Sequence, residues 1–483
     1  MAGLENSQFA KPQPPHVLIF PLPLQGPISC MLKLAELLSV ADIRVTFLNT
    51  VHAHSRLLRH SAAPSHLSRR FPGFRFRTVP DGLPDDHPRS ADRIADLFLS
   101  LEATAGPLLR EILTSEDRPA TCVVADGIFG FAVDVAEEVG VPIIYFDTIS
   151  PCGFWAYLCV PRLIAAGEIP FDGDDLDAPV KNVPGTESFL RRRDLPGFCR
   201  VGDISDPIIQ LAVREAHQVP RAAGIILNTF DELDGPILAQ IRTICPNTYA
   251  VGPLHSHLRS RLAAVHPASP PPPSATLWAE DVTCTAWLDA QPPRSVVYVS
   301  IGSLAVMTAD QETEFWHGLV NSGKRFLWVR RPGSIAVDDE RQIPAEVEEG
   351  VRERGCLVEW APQEKVLAHP AVGGFLTHGG WNSTVESVAA GVAMVCWPYF
   401  VDQQMNSRFV SEVWRVGVDM KDTCDRVVIE KMVREVMEVR REEFDREAAE
   451  IAELAGKSVR EGGSSYADLD RLIEDIRLMS RSA

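Results

Sequence analysis

The sequence predicts an α/β protein with two doubly wound parallel sheets, and three observations lead to this fold class. Short runs rich in β-branched and aromatic residues alternate with helical patterns in both halves of the chain. These runs are nearly continuous in apolar residues, which is typical of strands covered on both faces. The chain has 483 residues, 45% hydrophobic and 23% charged, an ordinary globular composition but too long for one compact core.

Each half supplies its own set of strands. In the N-terminal half the candidate strands are HVLIFPLP, IRVTFLNT, CVVADG, PIIYFDT and GIILNTF, all before residue 235. In the C-terminal half they are VVYVSIGS, FLWVRRP, CLVE, GFLTHGG and AMVCWP, all after residue 290. Because helical patterns separate these runs, each set is expected to form one parallel sheet with helices on both faces.

A proline-rich segment divides the two halves. Residues 270–273 are four consecutive prolines, which cannot donate ladder hydrogen bonds and favour extended geometry. We therefore predict an N-terminal domain over 1–254, an interdomain linker over 255–283 and a second domain over 284–460. A final helix over 461–483 either closes its own domain or docks on the other half, and we expect it to pack back on the N-terminal domain.

Charge and composition exclude several classes of protein. Lys and Arg number 47 and Asp and Glu 65, so the net charge of −18 disfavours binding to nucleic acid or to an anionic membrane surface. The N-terminus lacks the apolar core of a signal peptide, and the apolar stretch 388–401 is too short to span a bilayer. The 10 cysteines form no CxxC pair. We expect a cytoplasmic monomer with reduced thiols, no structural metal and no stable membrane insertion.

Residues 360–403 carry the pattern that indicates chemistry. Their middle, FLTHGGWNSTVESVAAG, reads as a strand end, a glycine turn and a helix that starts near Asn382. The free N–H groups and the dipole of a helix start form an anion site. A capping box, S-x-x-E, would explain only part of the pattern. His378 and Trp381 crowd the same turn as Asn382, which favours a bound diphosphate with an attached sugar.

Polar and aromatic residues stand at both ends of this segment. At its start, Trp360 and Gln363 follow the strand CLVE and are suited to stack on a base and to bind polar edges. At its end, Asp402 and Gln403 follow the strand AMVCWP, and a carboxylate beside an amide can bind several hydroxyls of a hexose. Base, phosphates and sugar would then lie in sequence along the strand ends.

This segment resembles the signature of plant UDP-dependent glycosyltransferases, which transfer sugars to small molecules. The likeness rests on W-A-P-Q, on HPAVGGFLTHGGWNS with a glutamate three residues on, and on the terminal D-Q. NTFDELD, TAWLDAQPPRSVVYVSIGSLAVMT and SSYADLDRLI resemble further family segments, and the N-terminal half is most similar to the iridoid-acid (7-deoxyloganetic acid type) glucosyltransferase branch. The resemblance implies the GT-B fold, in which a Rossmann-like acceptor domain and a Rossmann-like UDP-sugar domain face each other across a cleft.

The resemblance also implies a role for each residue of the donor site. Uracil would stack on Trp360 and meet the backbone of Ala361, and the ribose would bind Gln363 and Glu386. The diphosphate would be held by Ser303, His378, Asn382 and Ser383. The sugar would be held by Trp381, Asp402 and Gln403. A terminal glutamine usually accompanies glucose in this family, so UDP-glucose is the expected co-substrate, with galactose, glucuronic acid and pentose donors as the alternatives.

The resemblance implies that neither a metal nor a cofactor is required. The family typically has no Asp-x-Asp metal motif at its donor site, and the donor segment here has none. The helix dipole and His378 would then take the place of a cation. The acidic run DGDD at 172–175 lies in a polar loop remote from that segment, and we interpret it as solvated charge.

Pro27 stands where the family ordinarily has a histidine that acts as general base on the acceptor. Asp126 ends a strand where the family's partner aspartate is expected, so it is the remaining candidate catalytic residue. The alternative is that Asp126 caps the helix that follows it. General-base catalysis typically contributes about 10²–10⁴-fold, a minority of enzymatic acceleration, so transfer is compatible with the loss of the histidine.

Three routes follow from Pro27. The acceptor could be acidic enough to need little help, as a carboxylic acid, a phenol or a hemiacetal hydroxyl is. Asp126 could take the proton directly or through water, if burial raises its pKa. Alternatively, the protein binds a UDP-sugar with little or no transferase activity.

The predicted reaction is inverting transfer of a sugar to a small apolar plant metabolite that is hydroxylated or acidic. A terpenoid or iridoid is the first expectation and a phenolic or flavonoid the second. The acceptor pocket should be shaped by the loops after Leu24, Asp126 and Asp147. The aromatic helix around 154–163 could line it too, although its composition equally suits core packing.

Overall fold

The structure is a computed structural model that describes residues 14–90, 93–114, 119–200, 202–265, 272–335 and 345–482. Within these ranges each half of the chain forms one parallel sheet flanked by helices. The predicted fold class, α/β with two doubly wound parallel sheets, is confirmed.

The N-terminal sheet has seven described strands. β1 to β7 span His16–Phe20, Arg44–Thr50, Phe74–Val79, Cys122–Asp126, Ile143–Asp147, Gly224–Leu227 and Thr248–Ala250. They lie in the order β3-β2-β1-β4-β5-β6-β7, and all neighbours are parallel. Val17 and Ile19 enter one core and Leu18 and Phe20 another. Because both faces of β1 are buried, its sequence is apolar throughout.

The C-terminal sheet has six described strands. β8 to β13 span Val296–Ser300, Arg325–Val329, Gly355–Val358, Val372–Thr377, Ala393–Cys396 and Gly417–Asp419. Their order is β10-β9-β8-β11-β12-β13, again with parallel neighbours. The sequence did not predict β3, β7 and β13, which are all edge strands. β7 and β13 have three residues each, and β3 mixes polar with apolar residues, so none carries a strong apolar run.

Eighteen α-helices are described. α1 to α9 span Gln25–Val40, Val51–His60, Ala63–Arg70, Ile94–Thr114, Gly130–Val139, Pro151–Ala165, Pro207–Gln218, Asp231–Ile244 and Leu254–Val265. α10 to α18 span Thr283–Asp289, Ala309–Asn321, Ala345–Arg354, Gln363–Leu367, Trp381–Ala390, Gln403–Arg408, Arg426–Arg434, Arg441–Ser458 and Ser464–Ser482. None of those helices is long and apolar enough to cross a membrane. All ten cysteines are free thiols.

The segment predicted as the interdomain linker begins inside the N-terminal core. Its first residues belong to α9, whose Leu254, Leu258 and Leu262 share a core with α1. This helix extends the first domain beyond the predicted boundary, because apolar side chains one turn apart can pack against α1. Residues 266–271 lie outside the described residues. The chain then runs along the cavity described below until α10 begins.

The final helix lies on the sheet of the other half. Side chains of α18 share a core with Val17 and Ile19 of β1; they are Leu469, Leu472, Ile473 and Ile476. Asp468 accepts a hydrogen bond of 2.8 Å from the N–H of Ala250 in β7. Asp475 accepts one of 2.6 Å from the hydroxyl of Tyr249 in the same strand. The last element of the chain therefore completes the cover of the first sheet.

Candidate active site

A cavity of about 780 Å³ lies between the two sheets. In each sheet the strand order reverses between two neighbours, which are β1 and β4 in the first sheet and β8 and β11 in the second. Such a switch point leaves a crevice outside the carboxyl ends of the strands, where open α/β sheets bind ligands. Segments that follow β1, β5, β8 and β11 reach the cavity.

All eleven residues predicted for the donor site line this one cavity. They are Ser303, Trp360, Ala361, Gln363, His378, Trp381, Asn382, Ser383, Glu386, Asp402 and Gln403. Pro27 also lines the cavity, whereas Asp126 is not among the residues of its wall. The donor residues of the second half and the start of α1 in the first half therefore line the same cavity.

An indole ring at one end of the cavity offers a surface for stacking. Trp360 follows β10, and Trp278 packs beside it with 5.9 Å between ring centroids and 27° between ring planes. Ala361, the next residue, is 4% exposed. A ring held by a second indole is rigid, which suits it to stack on a nucleobase.

Gln363 connects two side chains of α14. Its Nε2 donates to Glu386 Oε2 at 2.8 Å and to Ser383 Oγ at 3.0 Å. The capping box is therefore absent: α14 begins after Gly380, and no side chain caps it. Burial, with the neighbouring Glu364, raises the pKa of Glu386 to about 7. A carboxyl group of this kind can both accept from and donate to vicinal hydroxyls.

The ring of His378 is wedged between two glycines. A Cβ added at Gly302 would lie 2.5 Å from Nε2 of His378, and one at Gly380 would also overlap the ring. Burial lowers the pKa of His378 to about 4. At neutral pH the imidazole of His378 therefore carries no full positive charge. The neutral imidazole supplies a hydrogen bond instead.

Asn382 ties the start of α14 to the start of α1. Its Nδ2 donates to the carbonyl oxygen of Gly26 at 2.9 Å, so this donor is used within the protein. The first main-chain N–H groups of α14 have no partners within the helix. These N–H groups and the hydroxyls of Ser303 and Ser383 can donate to a diphosphate.

The indole N–H of Trp381 is also used within the protein. It donates to the carbonyl oxygen of Asn228 at 3.0 Å, and the side chain is 3% exposed. The ring packs against Trp414 with 6.1 Å between centroids. Trp381 therefore lines the cavity while its buried indole joins the two halves.

Asp402 and Gln403 are fixed by main-chain hydrogen bonds. Asp402 Oδ2 accepts from the N–H of Ser150 at 2.9 Å, a contact between the two halves. Gln403 Oε1 accepts from the N–H groups of Tyr399 and Phe400 at 2.8 and 3.1 Å. Among the described residues, Nε2 of Gln403 makes no hydrogen bond, so it can donate to a sugar hydroxyl.

Asp126 lies behind the cavity wall. Its side chain is 4% exposed and accepts from Thr148 Oγ1 at 3.2 Å and from the N–H groups of Leu22 and Ile128 at 3.4 Å. Burial raises the pKa of Asp126 to about 6. The next helix begins after Phe129 without a side-chain cap, so Asp126 does not cap it.

For the aromatic helix, which the sequence left open between pocket lining and core packing, the structure supports core packing. Phe154, Cys159, Val160 and Leu163 of α6 are buried, and none of them lines the cavity. Thr148 and Ile149, the first two residues after β5, do line the cavity. They begin the loop after Asp147, one of the three loops expected to shape the acceptor pocket, although neither residue was named from the sequence.

Other residues of the wall were missed as well. Gln25 donates to the carbonyl oxygen of Ala275 at 3.0 Å and accepts from the N–H of Leu277 at 2.7 Å. Lys33 Nζ lies 3.0 Å from Glu364 Oε1 across the two halves. In the part of the chain that is described, no group of three or more His, Cys, Asp or Glu side chains could hold a metal ion.

The comparisons with known proteins agree with this geometry. Residues 276–446 match the family model "UDP-glucoronosyl and UDP-glucosyl transferase". A 7-deoxyloganetic acid glucosyl transferase of Catharanthus roseus is 55% identical over 96% of this chain and 98% of its own length. A myricetin 3-O-rhamnoside 1,2-glucosyltransferase of Crocosmia x crocosmiiflora is 45% identical over 97% of each chain.

A solved structure shares the whole architecture. Os79 from O. sativa, in complex with UDP, aligns with a TM-score of 0.80 and 27% identity over 95% of this chain and 100% of its own. The GT-B fold implied by the sequence is therefore confirmed. The chain is 55% identical to a named glucosyltransferase over nearly its full length, and it shares its fold with a solved UDP complex. It therefore belongs to the UDP-glycosyltransferase family and is a UDP-glycosyltransferase.

Proposed function

We propose that this protein is an inverting O-glucosyltransferase that uses UDP-glucose and acts on an iridoid or related terpenoid acid, with phenolics as second acceptors. The observation that carries the proposal is the convergence of all eleven predicted donor residues on one cavity beside Pro27. The names of the relatives support the acceptor class, since two Catharanthus roseus proteins at 55% identity are 7-deoxyloganetic acid glucosyltransferases. The cytoplasmic location and the monomeric state stay predictions.

The proposed donor pose follows the cavity from end to end. Uracil stacks on Trp360, and the ribose hydroxyls bind the Gln363–Glu386 pair. The diphosphate faces the first N–H groups of α14, whose dipole favours the charge that develops on the leaving UDP. Glucose then lies against Asp402 and Gln403, and the acceptor oxygen attacks the anomeric carbon from the side opposite UDP.

Pro27 favours a second candidate, a protein that binds UDP-sugar with little transfer. Proline has no side-chain base, and the thiol of Cys30 in the same helix has its pKa raised to about 12 by burial. One assay separates the candidates: incubation with UDP-glucose and matched acidic, phenolic and neutral acceptors, with UDP release and product mass followed together. Glucoside or glucose ester with inverted anomeric configuration supports the transferase, and UDP binding without product supports the second candidate.

The sugar end of the site allows a sharper test. In Gln403→Glu the acceptor oxygens for the Tyr399 and Phe400 N–H groups remain, but the donor to the sugar is lost. We expect kcat/KM for UDP-glucose to fall about tenfold or more, with the affinity for UDP alone within about twofold of wild type. The matched control is Gln404→Glu, because Gln404 is buried but does not line the cavity. Equal losses in both variants would contradict the proposed pose.

A further inference from the structure

The proposed reaction leaves one question, which is how a proton leaves an alcohol acceptor when Pro27 has no side-chain base. Asp126 cannot meet the acceptor directly, because it is 4% exposed and is not part of the cavity wall. Its carboxylate accepts hydrogen bonds from Thr148 Oγ1 and from the N–H groups of Leu22 and Ile128, at 3.2 to 3.4 Å. A proton can pass from an acceptor in the cavity to Asp126 only through a group that lies between them.

Thr148 occupies that position. The strand register pairs Asp126 with Phe146, so the chain that leaves β5 passes beside the end of β4. Thr148 is half-buried, lines the cavity, and donates its hydroxyl proton to Asp126 Oδ2 at 3.2 Å. A hydroxyl oxygen carries two lone pairs besides its proton, so Oγ1 can accept from a second partner on the cavity side.

Other polar groups near Asp126 do not offer this connection. Two titratable groups interact electrostatically with Asp126: the thiol of Cys30 in α1 and the carboxyl of Asp147 at the end of β5. Neither lines the cavity. Burial raises the pKa of both, so the thiol stays protonated at neutral pH. No cation of the described residues is paired with Asp126, whose own pKa is raised to about 6 by burial, so it is largely ionised at pH 7.

We propose that Thr148 is a catalytic residue that relays the acceptor proton to Asp126. As the acceptor oxygen bonds to the anomeric carbon, its proton passes to Thr148 Oγ1, and the proton that Thr148 held passes to Asp126 Oδ2. The bond from the anomeric carbon to the UDP oxygen breaks, and its electron pair leaves with UDP. Asp126 ends protonated and Thr148 neutral, so the relay resets when Asp126 loses its proton. The proposal rests on the proposed transferase function.

The test compares alcohol acceptors with a carboxylic acid acceptor, which is already ionised at pH 7 and has no proton to lose. Thr148→Val keeps the shape of the side chain but removes the hydroxyl. We expect kcat with an alcohol to fall by about 10²–10⁴-fold and kcat for glucose ester formation to change by less than about fivefold. Thr148→Ser should restore most of the alcohol rate. Asp126→Asn should match Thr148→Val, and the double variant should lose little more.

Two further measurements separate a relay from a structural role. The wild-type rate with an alcohol should rise with pH through about 6, as Asp126 ionises, and this limb should vanish in Thr148→Val. UDP affinity and the melting temperature should stay close to wild type. Equal losses for alcohol and carboxylate, or an unchanged alcohol rate in Thr148→Val, would overturn the relay alone. If the wild-type protein glucosylates neither acceptor, the proposed function fails instead.

Discussion

Nδ2 of Asn382 donates a hydrogen bond to the carbonyl oxygen of Gly26 at 2.9 Å, joining residues 356 positions apart. The bond connects the first turn of α14, where the diphosphate is proposed to bind, to the residue before Pro27 at the start of α1. The two halves therefore meet through groups of the site itself, so the contact between the halves and the geometry of the donor site depend on the same hydrogen bond.

This bond predicts that Asn382→Ala weakens both stability and donor binding. Removing one partner of a partly buried hydrogen bond should lower the free energy of unfolding by about 1 kcal/mol. UDP affinity should fall as well, since the helix start is held less firmly against α1. Denaturant unfolding and titration calorimetry measure the two effects. Asn321→Ala, on an exposed side chain, is the control, and a stable Asn382→Ala with unchanged UDP affinity would contradict the link.

The packing of His378 against Gly302 predicts a loss of function in Gly302→Ala. Gly302 has φ +78°, and a Cβ there would lie 2.5 Å from His378 Nε2. The backbone strain alone should cost about 1–2 kcal/mol. Gly323→Ala is the matched control, because Gly323 has φ +71° but open space around its Cβ position. Thermal unfolding should show a loss of stability in both variants, larger in Gly302→Ala because of the overlap with His378, and UDP titration should show weaker binding in Gly302→Ala alone.

The buried carboxyl of Asp234 predicts a pH dependence of stability. Burial raises its pKa to about 7, while the unfolded chain has the ordinary value near 3.9. Between these values the folded state keeps a proton that the unfolded state has lost. The free energy of unfolding should therefore fall as pH rises from about 4 to about 7 and then level off.

Asp234→Asn should remove this slope and exceed the wild type in stability near pH 8. Urea unfolding at pH 5, 6, 7 and 8 measures the difference, which we expect to reach about 2–4 kcal/mol. Asp231→Asn serves as control, since the side chain of Asp231 in the same helix is 42% exposed. Parallel curves for wild type and Asp234→Asn would contradict the assignment.

The docking of α18 predicts a large effect of Leu472→Ala. Leu472 is fully buried in the core that contains Val17 and Ile19, so the substitution leaves a cavity and should cost about 2–5 kcal/mol. Leu478→Ala, at a side chain that is 46% exposed in the same helix, should cost less than about 0.5 kcal/mol. Chemical denaturation of both variants checks this, and similar midpoints would show that α18 does not contribute to the core.

The sequence predicted the sheets and the donor residues because both have strong local signals. Continuous apolar runs marked the interior strands, whereas β3, β7 and β13 at the sheet edges carried none. The turn and helix start around Asn382 were visible because glycines, an aromatic ring and short polar side chains occur together within one segment.

The hydrogen bonds between the two halves could not be predicted from the sequence. The hydrogen bonds from Trp381 to Asn228 and from Ser150 to Asp402 depend on how the two sheets face each other, which no local pattern encodes. The sequence could not show that Asp126 is shielded by Thr148, because that follows from strand order and register. Likewise, the lowered pKa of His378 follows from burial of its ring, which lies against Gly302 and Gly380 in the fold.

The position of α18 has a consequence for synthesis of the chain on the ribosome. β1 is synthesised well before α18, so part of the cover over Val17 and Ile19 is made only after the strands of both sheets. Although N-terminal domains generally fold first during synthesis, the nascent first half must wait with an apolar face open. A stalled or prematurely terminated chain would keep that face exposed, where chaperones bind.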